Sequence, residues 1–499
     1  MKNFILAITC LLMINVTFGQ ATSLRNGNTP SPESTQIASE YFSKIYGNSG
    51  NNTFVKAIVL QNNYYIIGKN SEKATIAKID IMGNLVWTKE TSSDATWRDI
   101  VANKDGNLLL VGHLGVLNTQ AKSLIGVVNI STGNFVSLKS YDIKVGGRES
   151  LKSIYQNSIP LNSSYPYYII GFITNSGNED DAILVNIDDN GTINFIKKYT
   201  YADDEFYLGI TAGGPSGDMM LYGGIFDGSS YGVTVNISNG GNVESGRFFN
   251  SSLYFFSHLT ISNPMGYSHI LGGRNISNSR AKIIKINGNA VVYNYDIDQV
   301  NNISYIYAVP GTQSYIAIGT GNFGGVNKSV LMHFTESGNS LTLNWTKLYE
   351  TTETAISEGF GRYVSNNKFL YLDSRTNHRN NLGNSDGFLT ISQANFENCI
   401  DNNITLNITP MVDTLTEFAP TVSDEMIPTA TNEASNNITY NDADICQLPC
   451  SVSFSYTAGE CGELDFSLQT NLTGDLTYNW TFGTNPQTSS TQQNPSHTY

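Results

Sequence analysis

Two acidic clusters are the residues of this chain whose types and spacing come closest to catalytic chemistry. Residues 203–205 (Asp-Asp-Glu) and 179–181 (Glu-Asp-Asp) each place three carboxylates in a row. Paired carboxylates can serve a glycosidase or bind calcium. Calcium loops, however, space their acids alternately and carry a glycine in mid-loop, which neither cluster does. We therefore expect solvated loops at both places, with no metal site and no cofactor. Calcium binding is compatible with the acidic composition, but no motif indicates it.

Aromatic residues near the junctions of an internal repeat are the remaining candidates for a binding site. Exposed aromatic side chains stack on sugars and anchor protein partners. The alternative is that these side chains pack inside the protein, between neighbouring repeats. The histidines add no candidate, because all six are scattered without ligand spacing, and we expect His113, near a strand end, to be structural. The candidate ligand-binding residues are Trp97, Phe206, Tyr207, Tyr254 and Phe255, with Phe256 beside them.

A seven-fold repeat from about Thr53 to about Cys399 must position these residues. Each unit begins with a short apolar run that ends in Gly or Asp, which is typical of a buried strand. The runs occupy residues 64–68, 108–112, 167–171, 219–223, 268–272, 315–319 and 369–373. The six glycines are 44, 59, 52, 49 and 47 residues apart. A period near 50 indicates an array of one supersecondary unit.

The rest of each unit completes a four-stranded pattern. A polar gap leads to a second apolar run, and an Asn/Gly turn such as residues 82–84 leads to a third run that is aromatic and basic. Seven such meanders predict an all-β fold with a seven-bladed β-propeller over residues 40–400. Residues 41–47 resemble the third run, so we expect them to pair with the last unit and close the ring; the alternative is an unrelated N-terminal strand.

One repeat motif resembles a known propeller family. The spacing Asp80-x-x-Gly83-x-x-x-Trp87 is similar to the tryptophan-docked repeats of quinoprotein-like propellers. Those enzymes usually have eight blades and a vicinal cysteine pair at the cofactor. This chain has seven units and no cysteine inside them before Cys399, so the resemblance implies the fold and not the cofactor.

Composition and charge limit the classes of partner. Charged residues make up 14% of the chain and the net charge is −14, against about 25% charged residues in ordinary soluble domains. Nucleic acid is not expected as a partner, because phosphate binding needs a basic face. Residues 1–19 have the basic start and short apolar core of a signal peptide, and no other segment is apolar for long enough to span a membrane. We expect a secreted or cell-surface monomer, with residues 20–39 as an N-terminal segment.

The cysteines support an extracellular location. Cys399, Cys446, Cys450 and Cys461 remain after the signal peptide, and an even count in an exported protein predicts two disulfides. We favour Cys399–Cys446 and Cys450–Cys461. The alternative, a metal site, is less favoured because no histidine lies near these cysteines in sequence.

The tail divides into two parts. Residues 401–448 are rich in Thr, Asn and Pro without periodicity, and we expect a linker. Residues 449–499 resemble a PKD domain, an immunoglobulin-like β-sandwich, through Tyr478-x-Trp480-x-Phe482-Gly483 and the final Asn-Pro-Ser-His-Thr-Tyr of residues 494–499. The family continues beyond this point, so we expect a truncated sandwich. The leader and this pairing of modules resemble exported proteins of Bacteroidetes, which implies type IX secretion or surface attachment.

Three hypotheses for function follow from these patterns. The first is a non-catalytic surface protein in adhesion, whose propeller binds an extracellular glycan or protein and stands on a PKD stalk. The second is an extracellular glycoside hydrolase or lyase whose acids come from several blades. The third is a structural part of a long adhesin without a ligand.

Overall fold

The computed structural model describes two parts of the chain. Residues 42–446 are described with gaps at 118–119, 158, 160–162, 175–178, 202–203, 215, 227–228, 250–251, 264–265, 289, 350–358, 366–367, 377–384, 394–400, 405 and 412–414. Residues 452–498 are described with gaps at 459–462, 471–479, 483–487, 491, 493 and 495. Within these ranges the protein is all-β, with no helix and therefore no helix that could cross a membrane.

The strands follow one another in short antiparallel meanders. The first 27 are β1 (Phe42–Gly47), β2 (Asn52–Leu60), β3 (Asn63–Asn70), β4 (Lys73–Asp80), β5 (Leu85–Ala102), β6 (Leu108–Val116), β7 (Gln120–Val128), β8 (Phe135–Tyr141), β9 (Glu149–Gln156), β10 (Tyr167–Thr174), β11 (Asp180–Ile187), β12 (Ile193–Thr200), β13 (Asp204–Ala212), β14 (Met219–Phe226), β15 (Ser230–Ile237), β16 (Val243–Phe249), β17 (Leu253–Asn263), β18 (Gly266–Asn275), β19 (Arg280–Asn287), β20 (Ala290–Ile297), β21 (Val300–Val309), β22 (Ser314–Phe323), β23 (Val326–Ser337), β24 (Ser340–Tyr349), β25 (Phe360–Ser365), β26 (Lys368–Thr376) and β27 (Ser385–Gln393).

Twelve shorter strands complete the described chain. They are β28 (Asp401–Ile404), β29 (Ile408–Pro410), β30 (Leu415–Phe418), β31 (Thr421–Glu425), β32 (Thr431–Asn432), β33 (Ser435–Asn437), β34 (Asn441–Cys446), β35 (Val452–Ala458), β36 (Glu463–Thr470), β37 (Trp480–Phe482), β38 (Thr488–Ser490) and β39 (Ser496–Thr498).

The sheets are arranged as in a propeller, but their count differs from the prediction. The prediction was seven separate sheets, one for each unit of the repeat. The described residues of 42–446 instead form five separate five-stranded sheets and one nine-stranded sheet. The first two units of the repeat share one nine-stranded sheet because β5 is continuous over 18 residues. The first half of β5 pairs with β4, and its second half pairs with β6.

The repeated glycines allow a close approach between the first two strands of a unit. A Cβ atom on Gly112 would lie 1.9 Å from the Thr96 carbonyl oxygen, and one on Gly223 would lie 1.8 Å from the Phe206 carbonyl oxygen. No side chain fits at such a distance, so only glycine is tolerated there. In the fifth unit Gly273 occupies this place, since a Cβ atom on it would lie 2.0 Å from the Tyr254 carbonyl oxygen. The sequence pattern had assigned it to Gly272, one residue earlier.

The hydrophobic core lies between neighbouring sheets. Leu109 and Val111 of β6 pack with Leu151 of β9 and Ile169 of β10 in one such cluster. The apolar runs are buried on both faces because each sheet is covered on both sides, which explains why they read as continuous hydrophobic segments.

The predicted closing strand pairs as expected with the last unit. β1 lies between β27 and β34 in the same sheet, and Ser43 Oγ is 2.8 Å from Thr390 Oγ1. The Tyr46 hydroxyl donates to the Gly83 carbonyl at 2.8 Å, just as the Tyr199 hydroxyl donates to the Gly241 carbonyl at 2.8 Å. β1 therefore takes the position that a fourth strand holds in the other units.

The predicted linker is not a linker. Residues 401–446, here called the belt, form seven short strands that run back around the fold. Each belt strand takes the outer edge of a unit in reverse chain order: β28 on β24, β29 on β20, β30 on β16, β31 on β12, β32 on β8, β33 on β5 and β34 on β1. The outer edges, which would otherwise leave backbone groups unpaired, are thereby covered.

The charges of the belt complement those of the strands beneath it. Residues 401–446 contain eight Asp or Glu residues and no Lys or Arg, whereas the strands beneath them carry lysines. Lys197 Nζ lies 2.6 Å from Asp424 Oδ1, and Lys44 Nζ lies 2.9 Å from Asp442 Oδ2. Basic residues of the third run, such as Lys197, and Lys44 of the similar strand β1 therefore form ion pairs with the belt.

The chain divides into two compact units, one spanning residues 43–445 and a second that contains residues 446–499. In the second unit, the described residues form a three-stranded sheet, β35–β36–β39, and a two-stranded sheet, β37–β38. Two small sheets do not by themselves establish a PKD sandwich. Cys399, Cys450 and Cys461 lie outside the described residues and the Cys446 side chain is not described, so the disulfides stay predictions.

Candidate functional site

The innermost strands of the propeller-like unit form a closed ring, and the space that they enclose is called the channel. β2, the second half of β5, β9, β13, β17, β21 and β25 contact one another in that order, and β25 contacts β2. Several of these strands carry a bulge in the same place, where the register shifts between residues 54 and 56, 97 and 99, 207 and 209, and 303 and 305. A bulge re-aims the side chains beside it. The residues that directly follow these bulges therefore lie at equivalent positions of the inner strands.

Five side chains from five units form what we call the channel cluster: Lys56, Asp99, Tyr222, His258 and Tyr305. Lys56 Nζ on β2 lies 2.5 Å from Asp99 Oδ1 on β5. Asp99 is buried and accepts three hydrogen bonds, from the backbone N–H of Ile100 at 2.7 Å, the N–H of Ile154 at 3.0 Å and the Ser153 hydroxyl at 3.1 Å. The carboxylate is thus fully engaged and joins three inner strands.

An aromatic pair faces this ion pair. The rings of Tyr222 and His258 lie 4.9 Å apart between their centroids. Tyr222 reaches inward because position 209 is glycine: a Cβ atom there would lie 1.9 Å from the Tyr222 hydroxyl oxygen. His258 Nε2 is 2.8 Å from Thr260 Oγ1, which is also 3.3 Å from His269 Nδ1.

Electrostatic contributions connect the ion pair, the aromatic pair and Tyr305. Burial lowers the pKa of His258 to about 3, with further contributions from His269 and from the positive charge of Lys56. Burial likewise raises the pKa of Tyr222, with contributions from Asp99 and Tyr305. His258 is therefore neutral at pH 7, and the charges in the cluster are those of Lys56 and Asp99.

A second group of cations lies on β3, β5 and β9 and is called the rim cations: Lys69, Arg98 and Lys152. Burial and, after it, the charges of Arg98, Lys152 and Lys69 together lower the pKa of His113 to about 3. His113 is buried, and its Nδ1 is 3.0 Å from Ser150 Oγ, as a structural histidine would be. The Lys152 ammonium lies 5.0 Å from the centre of the Phe172 ring, within cation–π range.

The predicted aromatic candidates separate into two classes. Trp97, Tyr207 and Phe255 are at most 1% exposed and pack in the core, so their rings are not accessible for stacking on a ligand. Phe206 and Tyr254 are half-buried, and their rings meet edge to face at 6.3 Å. Successive side chains in a strand point to opposite faces. Of the neighbours Phe206 and Tyr207, Tyr207 therefore points into the core, and Phe206 points to the opposite face of the sheet.

The acidic clusters are not solvated loops. Asp180, Asp181 and Glu205 are buried. The Asp180 N–H donates to Asp204 Oδ1 at 2.9 Å, and Lys198 Nζ lies 3.4 Å from Asp181 Oδ2. The contact of Asp180 with Asp204 joins the third unit to the fourth.

Glu149 is a further acid whose pKa is changed by burial. Burial raises the pKa of Glu149 to about 7, against three hydrogen bonds that lower it. Two of these come from the Ser123 N–H and hydroxyl at 3.1 and 2.9 Å. Glu149 is completely buried, so it connects sheets and does not face the channel.

Sequence reasoning missed the whole channel cluster. The repeat was aligned on its second strand, and the first strand carries no shared residue type at the relevant place. A usable signal exists: Lys56, Asp99 and Tyr305 each stand two residues after a fully buried apolar residue, namely Phe54, Trp97 and Ile303. Aligning the units on that buried residue would have brought the three together.

The comparisons leave the chain without a family: no protein-family model matches it, and no curated protein matches it. The site must therefore be interpreted from its own chemistry. Among the described residues no group of three or more His, Cys, Asp or Glu side chains is placed to hold a metal ion. What the cluster offers is a set of cations and aromatic rings converging on one channel, which is suited to binding.

Proposed function

We propose that this protein is a non-catalytic binding module whose ligand, an extracellular glycan or protein, docks at the channel cluster. The observation that carries the proposal is that the ion pair of Lys56 with Asp99 and the ring pair of Tyr222 with His258 each join side chains of two different units. Ligand sites commonly combine apolar and aromatic walls with a few placed polar groups. Aromatic and cationic groups also dominate binding energy at interfaces.

We further propose that the propeller has seven blades. On this interpretation the nine-stranded sheet is two blades joined by the long strand β5. Support comes from the closed sequence of contacts among the innermost strands and from the belt, which places one strand on each fourth strand or its equivalent.

We place the protein at the cell surface or in the secreted fraction. The signal-peptide pattern of residues 1–19 and the cysteines of the tail support this. The PKD-like residues around Trp480 support a stalk role for the second unit, in keeping with the resemblance to exported Bacteroidetes proteins.

The glycosidase or lyase hypothesis has less support. Such enzymes use two carboxyl groups about 5–10 Å apart that flank the scissile bond. In the described channel cluster the carboxylate is Asp99, and its oxygens are occupied by Lys56, Ser153 and backbone N–H groups. No particular observation therefore favours the enzyme.

The test is a glycan-array screen followed by titration of the best ligand. Tyr305→Ala removes a ring of the channel cluster, while Tyr231→Ala removes a partly buried ring that packs on Phe248 at 5.2 Å, in the third strand of its sheet. We expect Tyr305→Ala to weaken binding about tenfold or more, as loss of about 1.4 kcal/mol implies, and Tyr231→Ala to leave it unchanged. Equal affinity for the protein and its Tyr305→Ala variant would place the site elsewhere. Absence of any glycan or protein ligand would favour the structural hypothesis.

A further inference from the structure

A buried ion pair in the fifth unit holds an amine against a carboxyl group. Lys282 on β19 stands directly opposite Asp296 on β20 in the antiparallel ladder. Each side chain is 1% exposed, and Lys282 Nζ lies 3.1 Å from Asp296 Oδ1. Ile284, two residues along the same face, is fully buried in an apolar cluster with Phe249 and Leu253. The two charged groups therefore meet away from bulk water.

The lysine of this pair lacks hydrogen-bond acceptors. An ammonium group has three N–H donors, and within the described part of the chain the Lys282 group has one acceptor, Asp296 Oδ1. Burying a charge costs free energy unless the charge is paired and its hydrogen bonds are made. Asn294, two residues before Asp296, also has both side-chain amide atoms buried without a partner among the described residues. The ionised form of Lys282 is therefore poorly accommodated.

The carboxyl group, in contrast, is held by donors on its other oxygen. Asp296 Oδ2 accepts a hydrogen bond from the side-chain amide of Asn278 at 2.8 Å, and a longer one from that of Asn275 at 3.4 Å. Donors in such a position stabilise the negative charge that develops on an oxygen when a nucleophile attacks the adjoining carbon, as in an oxyanion hole. The nucleophile beside this carboxyl group is Lys282 Nζ.

From this geometry we infer that Lys282 and Asp296 condense to a side-chain amide, a covalent cross-link between β19 and β20. One proton passes from the Nζ ammonium to Oδ1, which leaves a neutral amine and a neutral acid. The Nζ lone pair forms a bond to Cγ, and the electron pair of the C=O bond moves to Oδ2. A second nitrogen proton goes to Oδ1, which leaves as water while the C=O bond re-forms. Ammonium and carboxylate are thereby converted into one amide and one water molecule, and no co-reactant is needed.

Burial favours the stages of this reaction. An apolar site disfavours charged groups, so the proton transfer that produces the neutral amine becomes easier. Holding the amine beside the carboxyl group makes the step effectively unimolecular, which can correspond to effective concentrations of about 10⁵ M or more. Exclusion of water protects the product from hydrolysis. The bond closes a loop of residues 282–296 and locks the last two strands of the fifth unit together.

The first unit provides a matched comparison within the same chain. Lys73 Nζ lies 3.4 Å from Glu90 Oε1, and the Asn70 side-chain amide donates to Glu90 Oε2 at 3.0 Å. The Lys73 side chain, however, is 36% exposed. Because water can solvate its ammonium group and complete its hydrogen bonds, we expect Lys73 to stay a free amine.

Peptide mass spectrometry tests the cross-link. The purified full chain is reduced and digested with trypsin, which cleaves after free lysine and arginine. Amide-linked Lys282 resists cleavage, so residues 281–285 should stay joined to residues 286–328, which contain Asp296. The joined product should be lighter than the two separate peptides together by one water molecule. We expect it in most molecules, together with normal cleavage after Lys73.

Two variants verify which residues are joined. Lys282→Arg keeps the positive charge but has no reactive amine, because the guanidinium group stays protonated. Asp296→Ala removes the carboxyl group. Neither variant should yield the joined product. The decisive spectrum is that of the unaltered protein, so poor folding of a variant would not obscure the result.

Two results would overturn the inference. One is release of residues 281–282 and 283–285 as free peptides in most molecules, which would show that Lys282 and Asp296 remain an ion pair. The other is persistence of a joined product in Asp296→Ala, because Lys282 would then be linked to a different residue.

Discussion

Tyr440 is the anchor by which the belt should be tested. Its side chain is 4% exposed, and its hydroxyl donates to Thr75 Oγ1 on β4 at 3.2 Å. The flanking belt strands β33 and β34 have only three and six residues. Because these strands are short, we expect the buried ring to supply much of the free energy that holds this part of the belt.

The cost of removing the ring can be approximated. A buried aromatic side chain covers about 150–250 Å², which at about 25 cal/mol per Å² gives about 4–6 kcal/mol as an upper bound. Measured Phe→Ala substitutions cost about 3–5 kcal/mol. We therefore expect Tyr440→Ala to reduce the free energy of local opening by about 3–5 kcal/mol.

Amide hydrogen exchange measures this opening directly. In Tyr440→Ala, peptides covering residues 435–446 should exchange about a hundred- to several-thousand-fold faster, with much smaller changes in the inner strands. Tyr440→Phe keeps the ring and loses one hydrogen bond, worth about 0.5–1.5 kcal/mol. Met426→Ala, at a belt position 86% exposed, should change nothing. Unaltered exchange of residues 435–446 in Tyr440→Ala would refute the docking of the belt described above.

Two further predictions concern contacts between units. Burial raises the pKa of Glu149 to about 7 from 4.5, so the folded protein holds a proton that the unfolded chain releases. Stability should therefore fall by about 3 kcal/mol as the pH rises from about 4.5 to about 7, and urea titrations of Glu149→Gln should lack this slope. Tyr199→Phe removes the donor to the Gly241 carbonyl and leaves a buried acceptor unpaired. This should cost about 1–3 kcal/mol in urea titrations, whereas a cost below about 0.5 kcal/mol would show that the contact is dispensable.

The repeat and its strands were predictable because hydrophobic periodicity is a local signal. Six of the seven second strands are continuous apolar runs closed by glycine, and the structure explains the glycine at positions such as Gly112, where a Cβ atom would lie 1.9 Å from a backbone oxygen. The joining of two units through β5 was not predictable. Its middle residues, Ser92–Asp94 in the sequence, have turn-forming composition, but here they continue a strand.

The belt escaped sequence analysis for a physical reason. A strand of two to six residues with one edge in solvent needs no apolar periodicity, and most belt residues are exposed. Its register comes from the edges it covers and from charges such as Asp424, which has meaning only beside Lys197. The channel cluster was missed because it joins residues as far apart as Lys56 and Tyr305, and only the closed ring of strands brings them together.

The most direct measurement of the central claim is a hydrogen-exchange footprint of the ligand that the array identifies. Binding at the channel cluster predicts slower exchange in the inner strands, in particular Asn52–Leu60, Leu253–Asn263 and Val300–Val309, and no change in the belt. Protection confined to residues 401–446 or to the fourth strands, with the inner strands unaffected, would contradict it and move the binding site to the outer edge of the sheets.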